Sequence, residues 1–249
     1  MRIYGLAAIG AVMLLGVPAQ ACAQAQDSTR TEDDWRERLD QEVLAAGEIY
    51  LQLEYEGVAD GFMRFGWQVD GDVIDIYDRT MWASREVYET MEARVRLEDL
   101  APVSSDIRYH QAGNYYVFDV DFESGAANGQ MHVVRPGQPE ASQPVAQELE
   151  QGAILRASYF VVAAALPLEV GDSVTFNWYA VMGGEGAAVT LTAVEEVGID
   201  TPAGHFTTLR IEQRGGTPPN DIFIDRESGR IVRIDVGGQP MQFVAPAPG

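Results

Sequence analysis

Long stretches of the chain alternate between apolar and polar residues, which is the pattern of half-buried β-strands. Every odd-numbered residue from Met63 to Val69 is apolar, and Asp70-Gly71 then supplies the residues of a tight turn. Successive strands joined by short turns favour antiparallel pairing. The same pattern predicts further strands at 73–77, 85–97, 105–111, 115–122, 130–134, 174–179, 188–197, 206–213, 221–225, 230–236 and 241–244.

Two segments depart from this alternation and predict helices. In segment 31–46, Trp35, Leu39 and Val43 recur every four residues, and Thr31 is placed to cap the helix. The apolar segment 152–165 lacks strict alternation, which predicts a buried helix, although a strand over part of it is also compatible with the pattern. This segment is shorter than the roughly 20 residues that a membrane-spanning helix needs.

These elements predict a mainly β fold, with a single large curved antiparallel sheet and one or two covering helices. Residues 136–147 contain three prolines and several glutamines, so we interpret them as a linker. Residues 124–129 have the composition of a hairpin loop. The predicted organisation is a signal peptide at 1–25, an N-terminal helix at 26–48, a curved antiparallel β domain at 49–244 and a disordered tail at 245–249.

The N-terminus has the order of a cleavable secretion signal. Met1-Arg2 is basic, the run from 4 to 17 is apolar apart from small glycines, and Pro18 precedes a series of spaced alanines. The apolar run is too short for a permanent membrane anchor. The segment therefore predicts export to the periplasm, with secretion out of the cell as an alternative.

The single cysteine, Cys22, lies among the predicted cleavage sites, because Ala-x-Ala patterns end at Ala21, Ala23 and Ala25. Cleavage after Ala23 or Ala25 removes the only thiol. Cleavage directly before Cys22 would instead permit lipid attachment. Ala19 stands where a bacterial lipobox usually has leucine, so lipid anchoring through Cys22 is the minor alternative. In either case no disulfide can form within the chain.

The charge of the chain excludes one class of partner. The formal net charge is −21, and all 17 basic residues are arginines scattered among carboxylates. A nucleic-acid-binding surface needs clustered lysine and arginine, so we expect no nucleic-acid partner. We interpret the acidity as a source of solubility rather than as an acidic binding face.

Catalytic and metal-binding motifs are absent from the sequence. His110, His132 and His205 have no histidine or cysteine partner at ligand spacing. There is no G-x-S-x-G elbow, and the glycines at 183–186 lack the lysine and hydroxyl residue of a phosphate loop. The sequence therefore predicts no cofactor, no metal and no enzymatic activity.

Carboxylates are the one abundant residue type with catalytic potential. Four aspartates fall within 70–78, and Asp119, Asp121 and Glu123 share one face of a predicted strand. Such groups can form a calcium site or a general acid–base pair. Because the opposite face of that strand is apolar and aromatic, we favour an arrangement in which these acids face solvent.

Aromatic residues on the strand faces are candidates for a ligand-binding surface. In a curved half-barrel they would line an apolar cavity, whereas in a flat sheet or closed barrel they would form the core. The alternation is compatible with both arrangements. The six candidates are Trp67, Tyr116, Phe118, Phe122, Phe176 and Trp178.

Three runs near the C-terminus carry a family resemblance: LPLEVGDS at 166–173, EEVGIDTPAGHF at 195–206 and IFIDRESGRIVRI at 222–234. They resemble motifs of an uncharacterised bacterial periplasmic family, a domain of unknown function, over roughly residues 50–244. The resemblance implies a fold similar to the curved, incomplete barrel of lipoprotein carriers. In those proteins the concave face holds acyl chains.

We therefore expect a non-enzymatic periplasmic protein that binds or carries an apolar ligand, either a lipid or an acylated protein, or that assists envelope assembly. One alternative is a carboxylate-dependent envelope hydrolase. Another is an interaction module that docks a partner through the Trp35 helix or a sheet edge. We expect no membrane span in the mature chain.

The signal hypothesis predicts the mass of the exported protein. When the chain is expressed in a bacterium, we expect the periplasmic form to lack the first 23 or 25 residues and to contain no thiol. Intact-mass spectrometry and thiol titration measure both properties. A form that keeps Cys22 and carries a lipid would favour the anchored alternative, and an uncleaved 27.2 kDa chain would contradict the hypothesis.

Overall fold

A computed structural model describes residues 35–248; the predicted signal and Cys22 lie outside the described residues. The described residues form one mixed sheet of fifteen strands with two short α-helices, which confirms the mainly β fold. The helices are α1 (Gln41–Ala45) and α2 (Tyr159–Ala165). The strands are β1 (Ala46–Tyr55), β2 (Val58–Asp70), β3 (Val73–Trp82), β4 (Val87–Arg96), β5 (Pro102–Gln111), β6 (Asn114–Glu123), β7 (Ala126–Val134), β8 (Ala141–Glu148), β9 (Ile154–Leu155), β10 (Ser173–Ala180), β11 (Glu185–Thr201), β12 (Gly204–Arg214), β13 (Asn220–Asp225), β14 (Ile231–Val236) and β15 (Met241–Val244).

The sheet consists of two meanders that meet at the first and last strands. The strand order is β8-β7-β6-β5-β4-β3-β2-β1-β15-β14-β13-β12-β11-β10-β9. Leu53 of β1 lies opposite Phe243 of β15 in this central pairing. All neighbouring strands are antiparallel except β9 and β10, which are parallel. In the part of the chain that the structure describes, the edge strands β8 and β9 do not pair with each other, so the sheet stays open.

The sheet curls strongly, because strands that are far apart in its order are in contact. Strands β6 and β10 are third and fourteenth in the order. In a flat sheet they would lie roughly 50 Å apart. The rings of Phe122 on β6 and Tyr179 on β10 nevertheless pack edge to face, with centroids 6.0 Å apart. The curl brings the two meanders face to face.

The concave face holds the main hydrophobic core. Inward side chains from both meanders join those of α1 and α2 in one cluster, which includes the fully buried Leu53, Leu191 and Ile211. A small second cluster around Phe223 and Val232 lies apart from it. The alternation of strand residues therefore sorts side chains between a buried concave face and a largely exposed convex face.

Within the described residues, the predicted N-terminal helix is divided into two short pieces. Its described part comprises a 3-10 turn at Trp35–Arg38 and then α1, and residues 31–34 lie outside the described part. Asp40, not Thr31, caps α1, since its carboxylate accepts hydrogen bonds from the backbone N–H groups of Glu42 and Val43 at 2.8 and 3.3 Å. Strand β1 begins directly after α1.

The predicted linker at 136–147 is wrong over most of its length, because residues from Ala141 onward form the edge strand β8. Pro144 misled the prediction. It lies opposite Gln130 of β7, and an edge strand pairs on one side only, so it tolerates a residue without a backbone N–H.

The predicted loop at 124–129 is also too long, since β7 starts at residue 126. Ser124 and Gly125 both have positive φ angles, 52° and 78°, and make a two-residue hairpin turn. Such turns match the twist of the strands that they connect. A glycine at position 125 predicts a positive φ angle, whereas a serine at position 124 does not, so the sequence indicates only half of this turn.

Segment 152–165 is only partly helical. Ile154–Leu155 forms the short strand β9, Arg156–Ser158 is a 3-10 turn, and α2 follows. The helix packs inside the curled sheet, where Phe160 contacts Phe65 of β2 with ring centroids 5.3 Å apart. Among the described residues, no helix is long and apolar enough to span a membrane.

The central pairing of β1 with β15 predicts a large effect of truncating Leu53, which has no exposed surface. We expect Leu53→Ala to lower the free energy of unfolding by about 2–5 kcal/mol, because it leaves a cavity where the two meanders join. Urea unfolding measures the change. The control Val58→Ala truncates a side chain that is 65% exposed and should cost under about 0.5 kcal/mol. Equal effects of the two substitutions would contradict this picture of the core.

Candidate functional site

A cavity lies inside the curl, between the strands β2–β5 on one side and β10 with the segment leading into α2 on the other. Its volume is about 140 Å³. An engineered cavity of roughly 150 Å³ in another protein holds one benzene molecule. Most of its wall is apolar, including Met63, Phe65, Met91, Ile107, Phe160 and Ile234.

Three charged residues stand at one end of this apolar cavity: Asp78 on β3, Glu89 on β4 and Arg156 in the turn before α2. Asp78 is two and four residues from the buried Ile76 and Ile74 on the same strand, so its side chain points to the concave face as theirs do. The alternation places Glu89 between Val87 and Met91 on the inward face of β4 in the same way. Both acids thus occupy positions that otherwise carry core residues.

Strand register places the two acids beside each other. Asp78 lies opposite Met91, and Thr80 lies opposite Glu89, so the acids are diagonal neighbours on adjacent strands. On the other side of Glu89, the register places Tyr109 of β5 directly opposite. Arg156 approaches from the opposite wall, with its guanidinium 5.8 Å from the ring of Trp178.

The protein environment raises the pKa values of both acids. Burial raises the pKa of Asp78 to about 6, while a hydrogen bond from the Thr80 hydroxyl at 2.8 Å and the charge of Arg156 oppose the shift. Burial, followed by repulsion from Asp78, raises the pKa of Glu89 to about 7, and again Arg156 opposes the shift. Desolvation is the largest cause in both cases because the cavity walls replace part of the water around the carboxylates, although both residues keep some exposed surface.

Several polar atoms around the cavity lack hydrogen-bond partners. The Tyr179 side chain is 2% exposed and lines the cavity, and its hydroxyl has no partner in the described part of the chain. The same holds for Nε of Arg156 and the hydroxyl of Tyr109. By contrast, Asn220 donates hydrogen bonds to the Tyr159 hydroxyl at 3.1 Å and to a neighbouring glutamine. Unsatisfied buried groups are costly, so their concentration here marks a place for a polar ligand group or water.

The six aromatic residues predicted to line a ligand site do not line this cavity. Five are buried in the concave core and Phe122 is partly buried in contact with it. Two of them support the cavity from behind: Trp178 packs on Tyr159 with ring centroids 5.3 Å apart, and Phe122 packs on Tyr179. The others are core residues that do not line it: Trp67, Tyr116, Phe118 and Phe176.

The acids at 119, 121 and 123 lie on the convex face, as the aromatic opposite face of their strand predicts. Asp119 lies opposite Asp106, and a hydrogen bond between the two carboxyl groups raises the pKa of Asp106. Among the described residues, no group of three or more histidine, cysteine, aspartate or glutamate side chains could hold a metal ion. His205 pairs with Asp200 at 2.9 Å in an exposed turn.

The sequence interpretation missed Asp78, Glu89 and Arg156. The sequence does contain a signal for the two acids, because each stands at an alternate strand position whose neighbours two residues away include apolar core residues. Grouping Asp78 with the other aspartates of 70–78 concealed this signal. Asp75, for example, lies on the convex face and pairs with Arg94 at 3.0 Å. No local pattern could have indicated Arg156, since its place in the cavity depends on the curl of the sheet.

The raised pKa values predict a specific pH dependence of stability. The ordinary pKa values are 3.8 for Asp78 and 4.5 for Glu89, so the folded state holds protons more tightly than the unfolded state. The resulting stabilisation is complete below these ordinary values and is lost as pH rises through about 6 and about 7. Relative to the double variant Asp78→Asn/Glu89→Gln, the wild type should lose about 2 kcal/mol or more between pH 4 and pH 8.

Urea unfolding across this pH range measures the difference. The control Asp75→Asn removes an exposed carboxylate from the convex face of the same strand, and its stability should follow the wild-type curve. If the wild type and the double variant had parallel stability curves, the two acids would not be desolvated as the structure indicates.

Comparison with known proteins places this fold in a family. Residues 51–237 match the model described as Protein of unknown function (DUF3108), a span that includes all three charged residues of the cavity. No curated protein and no solved structure matches the chain. The expected membership of an uncharacterised family is confirmed, whereas the likeness to lipoprotein carriers stays a prediction. The chain belongs to the DUF3108 family of proteins of unknown function.

Proposed function

We propose that this protein is a non-enzymatic exported protein that binds a small amphipathic ligand, or the end of a larger one, in the cavity of the curled sheet. The observation that carries the proposal is an apolar cavity of about 140 Å³ with Asp78, Glu89 and Arg156 at one end. Apolar pockets with a few convergent polar groups and perturbed pKa values are the usual form of small-ligand sites.

The cost of the charged residues supports a binding role. Buried carboxylates destabilise a fold, and apolar residues at positions 78 and 89 would continue the series formed by Ile74, Ile76 and Met91. Proteins keep such locally unfavourable groups mainly at functional sites. A role in stabilising the sheet does not account for these acids, because a charged side chain makes the burial of the inward strand face less favourable.

The size of the cavity limits what can enter. About 140 Å³ accommodates a head group or the last few carbons of a chain, not a whole acyl chain. An intact lipid or acylated protein would therefore insert only one end unless α2 moved outward. Met182 and Gly183 line the cavity and belong to the partly exposed turn after β10, so we propose that the remainder of such a ligand leaves the cavity on this side.

A carboxylate-dependent hydrolase is the second candidate, because two neighbouring inward carboxyl groups with raised pKa values resemble an acid–base pair. The largely apolar wall argues for the binding role, since a glycan substrate would need hydrogen-bonding groups around its hydroxyls. The two candidates differ in whether a bound compound is released unchanged.

A cavity-filling substitution tests the proposal. Ala157 lines the cavity, so Ala157→Leu should occupy part of its volume and abolish binding of the neutral probe 1-hexanol. In the wild type, hexanol at about 100 times its Kd should stabilise the fold by about 2.7 kcal/mol, which thermal unfolding detects as a rise of several degrees in Tm. The control Ala188→Leu adds the same side chain at an exposed position of β11.

Native mass spectrometry of the protein from gentle extraction should show a copurified small molecule in the wild type and none in Ala157→Leu. The proposal fails if hexanol, hexylamine and hexanoate all leave the wild-type Tm unchanged and nothing copurifies. Turnover of a model glycoside by the wild type that Asp78→Asn abolishes would favour the hydrolase instead.

A further inference from the structure

The polar end of the cavity is one positive charge short of neutrality when both of its acids are ionised. Asp78 and Glu89 face one cation, Arg156, across the cavity. Arg79 also acts on Asp78 through its charge, but its guanidinium binds Glu92 at 2.6 Å and so is already paired. The tyrosines 109 and 159 remain neutral, because burial raises their pKa values further.

The acids are also short of hydrogen-bond donors. Asp78 accepts hydrogen bonds from the Thr80 hydroxyl and from the Arg79 backbone N–H, whereas Glu89 accepts none from any described residue. Arg156 acts on both acids through its charge alone, since its guanidinium forms no ion pair with a described carboxylate and its Nε has no partner. The carboxylates are therefore free to bind a donor from a ligand.

Tyr179 gives an independent indication of a ligand at this place. Its side chain is 2% exposed, lines the cavity and has an unpartnered hydroxyl. A buried hydroxyl without a partner costs about 1–3 kcal/mol. A polar ligand group in the cavity can satisfy this hydroxyl and recover part of that cost. Tyr109, which lies directly opposite Glu89, also has a buried hydroxyl without a partner among the described residues.

We propose that the polar end of the cavity binds a primary ammonium group, carried on a short apolar tail that lies against the apolar wall. The inference rests on the proposed ligand-binding function and names the chemical class of the ligand. A single positive charge brings the ionised site to neutrality, and an ammonium group has three donors, enough for both carboxylates and one further acceptor.

Other head groups fit the site less well. A carboxylate or phosphate group would place a further negative charge beside two acids and would be favoured by Arg156 alone. A neutral hydroxyl would form hydrogen bonds without balancing the charge. The aromatic wall favours the cation again, since it includes Tyr159 and Phe160 and aromatic rings attract ammonium groups.

Ammonium binding has a consequence that distinguishes it from every alternative, because it favours the ionised form of both acids. With pKa values of about 6 and about 7, the pair of acids still holds roughly one proton at pH 6, so the binding of an amine should release about that proton. At pH 8.5 both acids are ionised and the release should vanish. An anionic ligand would instead take up protons.

Isothermal titration calorimetry with 1-hexylamine, 1-hexanol and hexanoate tests the inference. Each probe is titrated at pH 6 and pH 8.5 in two buffers of different ionisation enthalpy, which gives the number of protons exchanged. We expect hexylamine to bind at least about tenfold more tightly than hexanol at pH 8.5, from one charge-assisted hydrogen bond or more. Its affinity should fall by about tenfold from pH 8.5 to pH 6.

Variants locate the site. Glu89→Gln should reduce hexylamine affinity by about tenfold and remove most of the proton release, while it leaves hexanol affinity within about threefold. The exposed control Asp75→Asn should change neither. Hexylamine binding without proton release at pH 6, or hexanoate binding as tightly as hexylamine, would overturn the inference while the proposed binding function stands. Absence of binding by all three probes would overturn both.

Discussion

The structure depends on one constraint: the apolar face of the sheet has to be covered, and the described chain supplies little helix to cover it. Fifteen strands present one inward face, while α1 and α2 have five and seven residues. Such short helices cannot shield a flat sheet of this width. The sheet therefore curls until its own strands face each other, and the contact between Phe122 and Tyr179 shows how far this goes. The core, the enclosed helix and the cavity all follow from that curl.

The curl explains why the cavity lies beside α2. The opposing strand faces are held apart by an inserted segment, with Phe160 against β2 and Tyr159 against β10. A seven-residue helix fills only part of the enclosed space. The remaining space adjoins the turn that carries Arg156, and strands β3 and β4 place Asp78 and Glu89 opposite it. The polar site is thus assembled from segments that are far apart in sequence.

Local patterns predict the strands well and the site poorly, for the same physical reason. Alternation reports only which residues share a face, so it identifies the strands around Trp67 and Trp178 and their buried sides. Alternation does not report which strand lies across the cavity from another, so it cannot predict that Arg156 faces the two acids. Pro144 shows a related limit, because a proline is excluded from central strands but tolerated on an edge, and the edge is a property of the whole sheet. Asp78 is the intermediate case. Its alternation with Ile74 and Ile76 predicts that its side chain faces inward, but only the curl of the sheet determines that it faces Arg156.

The comparison of two acidic pairs shows why the concave one has functional potential. On the convex face, a hydrogen bond with Asp119 raises the pKa of Asp106, and water can solvate either carboxylate. Asp78 and Glu89 have raised pKa values because the surrounding walls remove that water. Ions in bulk solvent screen the convex pair, so its state is nearly independent of what binds nearby. The concave pair has one shared arginine and no comparable screening, so the charge of any group that enters the cavity acts on it at close range. For this reason we assign the proposed ligand selectivity to the concave pair and not to the convex pair.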